Sequence, residues 1–185
     1  MPPHPIPIFQ SEEQIPRFLG GLIHSSTEWF DDPRMGVRLR YGIPMTPASL
    51  LKADLYLYDL GQVIPADLMD PTVESFFQEA CSLIMNDPGP FPYTDMEVRA
   101  CEVLKLSDDD PGTWFHWAAF RYRQTGGDYD EFRFSHIALR TDGGFINKVR
   151  FTYRETMADV GGNIFTKLLT DWQQSLNAAP GSESG

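Results

Sequence analysis

Between positions 113 and 176 the apolar residues follow first a period of two and then a helical period. Residues 114–123, 131–141 and 145–155 each alternate, and residues 163–176 bring Ile164, Phe165, Leu168, Leu169, Trp172 and Leu176 onto one stripe. Alternation sends successive side chains to opposite faces of a strand, whereas the stripe is one side of an amphipathic helix. The spacing predicts three long antiparallel strands closed by a helix.

The earlier part of the chain carries the same two signals. Residues 37–41 alternate Val37, Leu39 and Tyr41 with two arginines, and residues 53–60 are apolar on both faces, which predicts a strand inside the sheet. Asp70 and Pro71 supply an N-cap and first-turn proline for a helix to residue 86, with Val73, Phe76, Phe77, Ala80, Leu83 and Ile84 on one side. Residues 94–106 read as a strand whose apolar phase slips between Ala100 and Val103, the mark of a bulge. Ser11 before Glu12 and Glu13 predicts a short helix to Leu19, ended by Gly20 and Gly21. Prolines at 2, 3, 5 and 7 make residues 1–10 a flexible arm, residues 87–92 (DPGPFP) form a loop, and residues 177–185 (NAAPGSESG) read as a disordered tail. Residues 11–176 are left as one domain.

Pairing parity follows from which residues share a face. Trp114, His116, Ala118, Phe120 and Tyr122 on the first strand, Phe132, Phe134, His136 and Ala138 on the second, and Val149, Phe151 and Tyr153 on the third look like one core face. That grouping demands an odd sum of paired numbers between the second and third strands, which a two-residue turn at 142–143 or 143–144 delivers. Between the first and second it demands an even sum, with Phe120 near Phe134 and a loop over 124–130. The other face is then graded, with Phe115, Trp117, Ile137, Leu139 and Ile146 at one end and Arg121, Arg123, Arg133, Arg150 and Arg154 at the other. Arg121 falls nearly opposite Arg133, so an acidic group is expected over them.

These elements compose an α+β fold: a twisted, mostly antiparallel β-sheet with helices packed on both faces. The order helix, two strands, helix, four strands, helix, with its closing FINKVRFTYRE strand and NIFTKLLTDWQQSL helix, resembles the Mog1/PsbP-like fold, including its small DcrB-type bacterial members. The resemblance implies a leaning toward binding or accessory roles; no motif is shared residue by residue, so no functional residue is carried over.

A net charge of −11 and a pI near 4.6 oppose general binding to nucleic acid or to anionic membranes. The start of the chain lacks the basic and apolar regions of a signal peptide, so the cytoplasm is the expected location, or the periplasm if a leader has been removed. Cys81 and Cys101 are too few for a disulfide scaffold and are expected as free, mostly buried thiols.

Candidate chemistry is sparse. No nucleotide-binding, dithiol or metalloprotease motif occurs, no cofactor or metal is expected, Asp108–Asp110 lacks the alternation of a calcium loop, and His24-Ser25-Ser26 has no nucleophile elbow around it. The arginine cluster has three readings: a face neutralised by the chain's own carboxylates, a docking surface for an acidic partner, or a small-anion site without a glycine-rich loop. His116 and His136 are either satisfied core histidines or the polar groups of a sheet–helix pocket in a small-molecule binder or enzyme. Tyr56, Tyr58, Trp29, Phe30 and Phe91 are more aromatics than one core readily absorbs. The expected function is non-catalytic binding, with an acidic partner docked on the arginine end.

Overall fold

The computed structural model describes residues 12–43, 51–86, 92–126 and 129–178. The arm over 1–10, residues 87–91 of the expected loop, Asp128 and the tail from 179 lie outside the described residues. Among those described, eight strands form one sheet: β1 (Phe18–Leu19), β2 (Leu22–Trp29), β3 (Val37–Gly42), β4 (Leu51–Tyr58), β5 (Tyr93–Lys105), β6 (Trp114–Gly126), β7 (Tyr129–Asp142) and β8 (Phe145–Arg154). Their order is β1-β2-β3-β4-β8-β7-β6-β5, and every neighbouring pair is antiparallel. Helix α1 (Pro71–Asn86) connects β4 near the centre to β5 at the edge, and α2 (Ala158–Ala178) follows β8.

Each helix covers its own face. Under α2 lie Leu39, Tyr41, Leu55, Val149 and Phe151, packed on Phe165, Leu168, Leu169 and Trp172. Under α1 lie Ala118, Phe120, Tyr122, Ile137, Leu139 and Ile146, packed on Val73, Phe77, Ala80 and Ile84. Burying two sides of one sheet is what makes both alternating sets of β4 and β6 apolar.

Two sequence expectations are corrected here. Residues 11–19 do not form a helix among the described residues: a short 3₁₀ turn (Glu12–Gln14) leads into a β1–β2 hairpin in which Leu19 pairs with Leu22. Gly20 and Gly21 make its two-residue turn at φ +59° and +83°, both in the region where only glycine sits without strain. The apolar phase slip of β5 is real but lies earlier, with register shifts between Thr94 and Glu97 and between Val98 and Ala100.

Strand parity differs from the expectation at one of two pairings. β7 and β8 pair as expected, Ile137 opposite Arg150 and Asp142 opposite Phe145 across the Gly143–Gly144 turn. β6 and β7 pair one residue out of the expected register: Phe120 faces Ser135 and Arg121 faces Phe134, an odd sum. Pairing runs out to Gly126 opposite Tyr129, leaving two residues between the strands rather than the long loop expected. The alternating set of β6 that holds His116 and Phe120 therefore lies under α1, while Phe115 and Trp117 lie on the α2 face.

Candidate functional site

The corrected register splits the five arginines. Arg121 and Arg123 share the α2 face with Phe132, whereas Arg133, Arg150 and Arg154 lie on the α1 face. Arg121 does not oppose Arg133; the directly opposed like charges are Arg133 and Arg154. Glu131 supplies the acidic group such a pair needs, with one oxygen on Arg133 and the other 3.0 Å from Arg154 Nε.

Internal carboxylates also meet the other two. Arg121 Nε donates to Glu155 at 2.9 Å, its Nη1 reaches Glu97 at 3.4 Å, and its guanidinium lies 3.7 Å above the Phe132 ring. Arg123 makes a bidentate pair with Asp130 at 2.6 and 2.9 Å. These exposed pairs hold the local geometry and add little stability.

Arg150 differs from the other four. Among the described residues no carboxylate lies within ion-pair distance of it. Its cross-strand neighbour Asp54 is turned to Arg40 Nε at 2.8 Å, and its own contact is a long donation from Nη2 to Tyr93 Oη at 3.4 Å. Nε of Arg150 is buried with no hydrogen-bond partner among the described residues. Tyr56, Tyr93 and Tyr122 are its electrostatic neighbours. A guanidinium under such cover without a carboxylate is uncommon, because desolvating a charge is costly unless something pairs with it.

Two residues before it, on the same face of β8, stands Lys148. Its Nζ lies 4.4 Å from the ring centre of Tyr56 and 5.3 Å from that of Tyr58, and it makes no ion pair among the described residues. Burial, aided by the neighbouring Arg150 charge and opposed by Glu79, pushes its pKa down to about 8. Lys148 walls a groove of ≈ 160 Å³ between α1 and the sheet. The remaining wall is mostly apolar, with Phe30, Met35, Tyr58, Phe76 and Leu83, while Glu79 is its carboxylate. Tyr56 walls the groove and neighbours Arg150 as well, so the cations and the apolar cleft are continuous.

The two histidines do not meet. His116 lies under α1, stacked on Phe77, with Nε2–H donating to the Leu68 carbonyl at 2.7 Å. His136 lies under α2 beside Phe165, bonded to Trp117 Nε1 and Tyr153 Oη at 3.2 and 3.1 Å. Each ring is enclosed and satisfied, so the pocket expected around the pair does not form. Both thiols are free, yet only Cys81 is buried, its pKa pushed up to about 12 by burial, and Cys101 is exposed on β5.

Sequence reasoning passed over Lys148. The signal was there: Lys148 and Arg150 stand at alternate positions in the middle of a strand whose residues between and beside them are buried, facing the doubly apolar strand that carries Tyr56 and Tyr58. The surplus aromatics Tyr56, Tyr58 and Phe30 are the walls of this groove, Trp29 packs on the α2 core, and Phe91 lies outside the described residues.

No family model matches the chain, and no curated protein matches it. Among solved structures, the solution structure of cyanobacterial PsbP (CyanoP) from Synechocystis sp. PCC 6803 is similar over 78% of this chain and 78% of that one, with a TM-score of 0.49 and 15% identity. This is a likeness of overall architecture and says nothing of a role. Among the described residues no helix is long and apolar enough to cross a membrane.

Proposed function

We propose that the chain is a binding protein for an acidic ligand with an apolar body, the carboxylate held by Arg150 and Lys148 and the body in the groove under α1. One observation carries this reading: of the five arginines on the sheet, Arg150 is the one that no carboxylate of the described residues meets. The acidic docking surface expected over Arg121, Arg123, Arg133, Arg150 and Arg154 thereby narrows to one arginine and its lysine neighbour. An apolar cavity of about 150 Å³ is known to take up benzene, so a groove of ≈ 160 Å³ suits a ring-sized body. A free acid fits this better than a protein segment, whose flanking chain the groove has no length to hold.

The test uses 3-phenylpropionate as probe. Its titration is expected to shift the backbone amide resonances of Lys148, Arg150 and Tyr56, while 3-phenylpropanamide, its neutral counterpart, does not. Arg150→Gln is expected to weaken binding about tenfold, the worth of a hydrogen bond to a charged group. A peptide carrying phenylalanine beside aspartate forms the second arm; binding of the peptide without the free acid returns the site to an acidic protein partner. If neither perturbs β8, the reading fails.

A further inference from the structure

We infer that Lys148 forms a reversible imine with the carbonyl carbon of an apolar oxo acid, a class of ligand whose carboxylate lies on Arg150 and whose body fills the groove. This rests on the anion-site reading above and gives the same site a chemistry that reading does not contain.

The layout carries it. Groove, amine and guanidinium follow one another along the sheet, with Lys148 and Arg150 two residues apart on one face of β8. That places their Cα atoms about 6.6 Å apart, within reach of one small molecule bearing a ketone next to a carboxylate. A lysine becomes a nucleophile at neutral pH when it is desolvated beside another cation and lacks a carboxylate clamp. Lys148 meets these conditions. From β4 it faces Tyr56 and Tyr58, from α1 Glu79, along its own strand Arg150, and its β7 neighbour is the apolar Leu139. A depressed amine pKa agrees with this geometry.

The step balances without an added reagent. The lone pair of the neutral amine forms a C–N bond to the carbonyl carbon, the C=O π pair moves to oxygen, and a proton passes from nitrogen to that oxygen. Protonation and loss of the hydroxyl as water then give the iminium; Glu79, on the groove wall, is the carboxylate at hand for these proton transfers. Hydrolysis reverses the sequence.

The test is reductive trapping on the full chain. Phenylpyruvate with sodium cyanoborohydride converts an iminium into a stable secondary amine, and peptide mass mapping assigns it among Lys52, Lys105, Lys148, Lys167 and the amino terminus. Label at Lys148 is expected to exceed that at each other lysine, because a desolvated amine beside a cation is the more nucleophilic one. Phenylacetone, which replaces the carboxylate by a methyl group, is expected to label the same lysine more weakly. Lys148→Arg, which keeps the charge, is expected to abolish the label; Arg150→Gln is expected to weaken phenylacetone labelling through loss of the neighbouring charge and phenylpyruvate labelling more strongly, because the carboxylate contact is lost as well, with a cooperative melting curve certifying that the variant folds. Label spread over the lysines in order of their exposure, or surviving Lys148→Arg, overturns the inference. The two readings fail distinguishably: 3-phenylpropionate binding without trapping removes the imine alone, whereas trapping by phenylacetone without binding of either acid removes the anion site and with it the oxo-acid ligand, leaving only a reactive amine.

Discussion

His136 sits among Trp117, Phe151, Tyr153 and Phe165, and burial pushes its pKa down to about 4. Trp117 Nε1 can only donate, so His136 Nδ1 is the acceptor and Nε2–H donates to Tyr153 Oη. A second ring proton would point at the indole N–H. The unfolded chain protonates this histidine near its ordinary 6.5 while the fold resists until about 4, so stability is fully present above pH 6.5 and is lost as pH falls toward 4. From this one residue, urea denaturation is expected to give a loss on the order of 2 kcal/mol between pH 7 and pH 5, and His136→Leu a weaker protein with that slope flattened. Lys148 follows the same rule at higher pH. Its folded pKa of about 8 lies below the ordinary 10.5, so the folded chain bears a charging cost below pH 8 that fades as pH rises to 10.5. Lys148→Met is therefore expected to raise stability at pH 7 by an amount on the order of 1–2 kcal/mol, with the gain shrinking between pH 8 and pH 10.5. A residue that costs stability where it stands is a candidate for function. If melting curves show Lys148→Met destabilising at pH 7, the lysine is a packing residue and not a reserved amine.

At the level of elements, α2 approaches the sheet through Gly161, where an added Cβ would lie 2.5 Å from the Tyr153 ring. Gly161→Ala has to displace that ring or the helix, and is expected to cost about 1–3 kcal/mol in chemical denaturation. Its neighbour Gly162 has nothing within 4 Å of such a Cβ, so Gly162→Ala is expected to add about 0.5–1 kcal/mol through helix propensity alone. Opposite signs at adjacent positions test the seating of α2. The α2 stripe, the capped start of α1 and the Gly143–Gly144 turn each carry local signals strong enough to place them. The β6–β7 register carries none, because a sheet covered on both sides makes Phe115 and Trp117 as apolar as Phe120 and Tyr122. Parity inferred from hydrophobicity then has two equal solutions, and the wrong one gathers His116 with His136 on one face and all five arginines on the other. The β1–β2 hairpin was hidden for a different reason: β2 (LIHSSTEW) is polar at its middle, near the sheet edge, and lacks a full apolar alternation.

Across the whole molecule the charge balance and the site oppose each other. A chain of net charge −11 repels an approaching acid at long range, while Arg150 and Lys148 attract it only at contact. Salt screens these two effects unequally. At about 0.1 M ionic strength the Debye length is about 10 Å, so the repulsion of distant surface carboxylates is largely removed while a partly buried contact is not. Electrostatically steered ligands associate more slowly as salt rises, and this protein is expected to behave the other way. Raising ionic strength from about 0.02 to about 0.2 M should increase the association rate of 3-phenylpropionate, by no more than about threefold, and leave its dissociation rate nearly unchanged. Line-shape analysis of the β8 amide resonances during titration measures both rates. A steep fall in association rate with salt would place the governing field at the exposed arginines, Arg121 and Arg123 among them, despite their carboxylate partners. The site would then be the broad basic end of the sheet rather than the cleft under α1, and Arg123→Gln would slow association as much as Arg150→Gln.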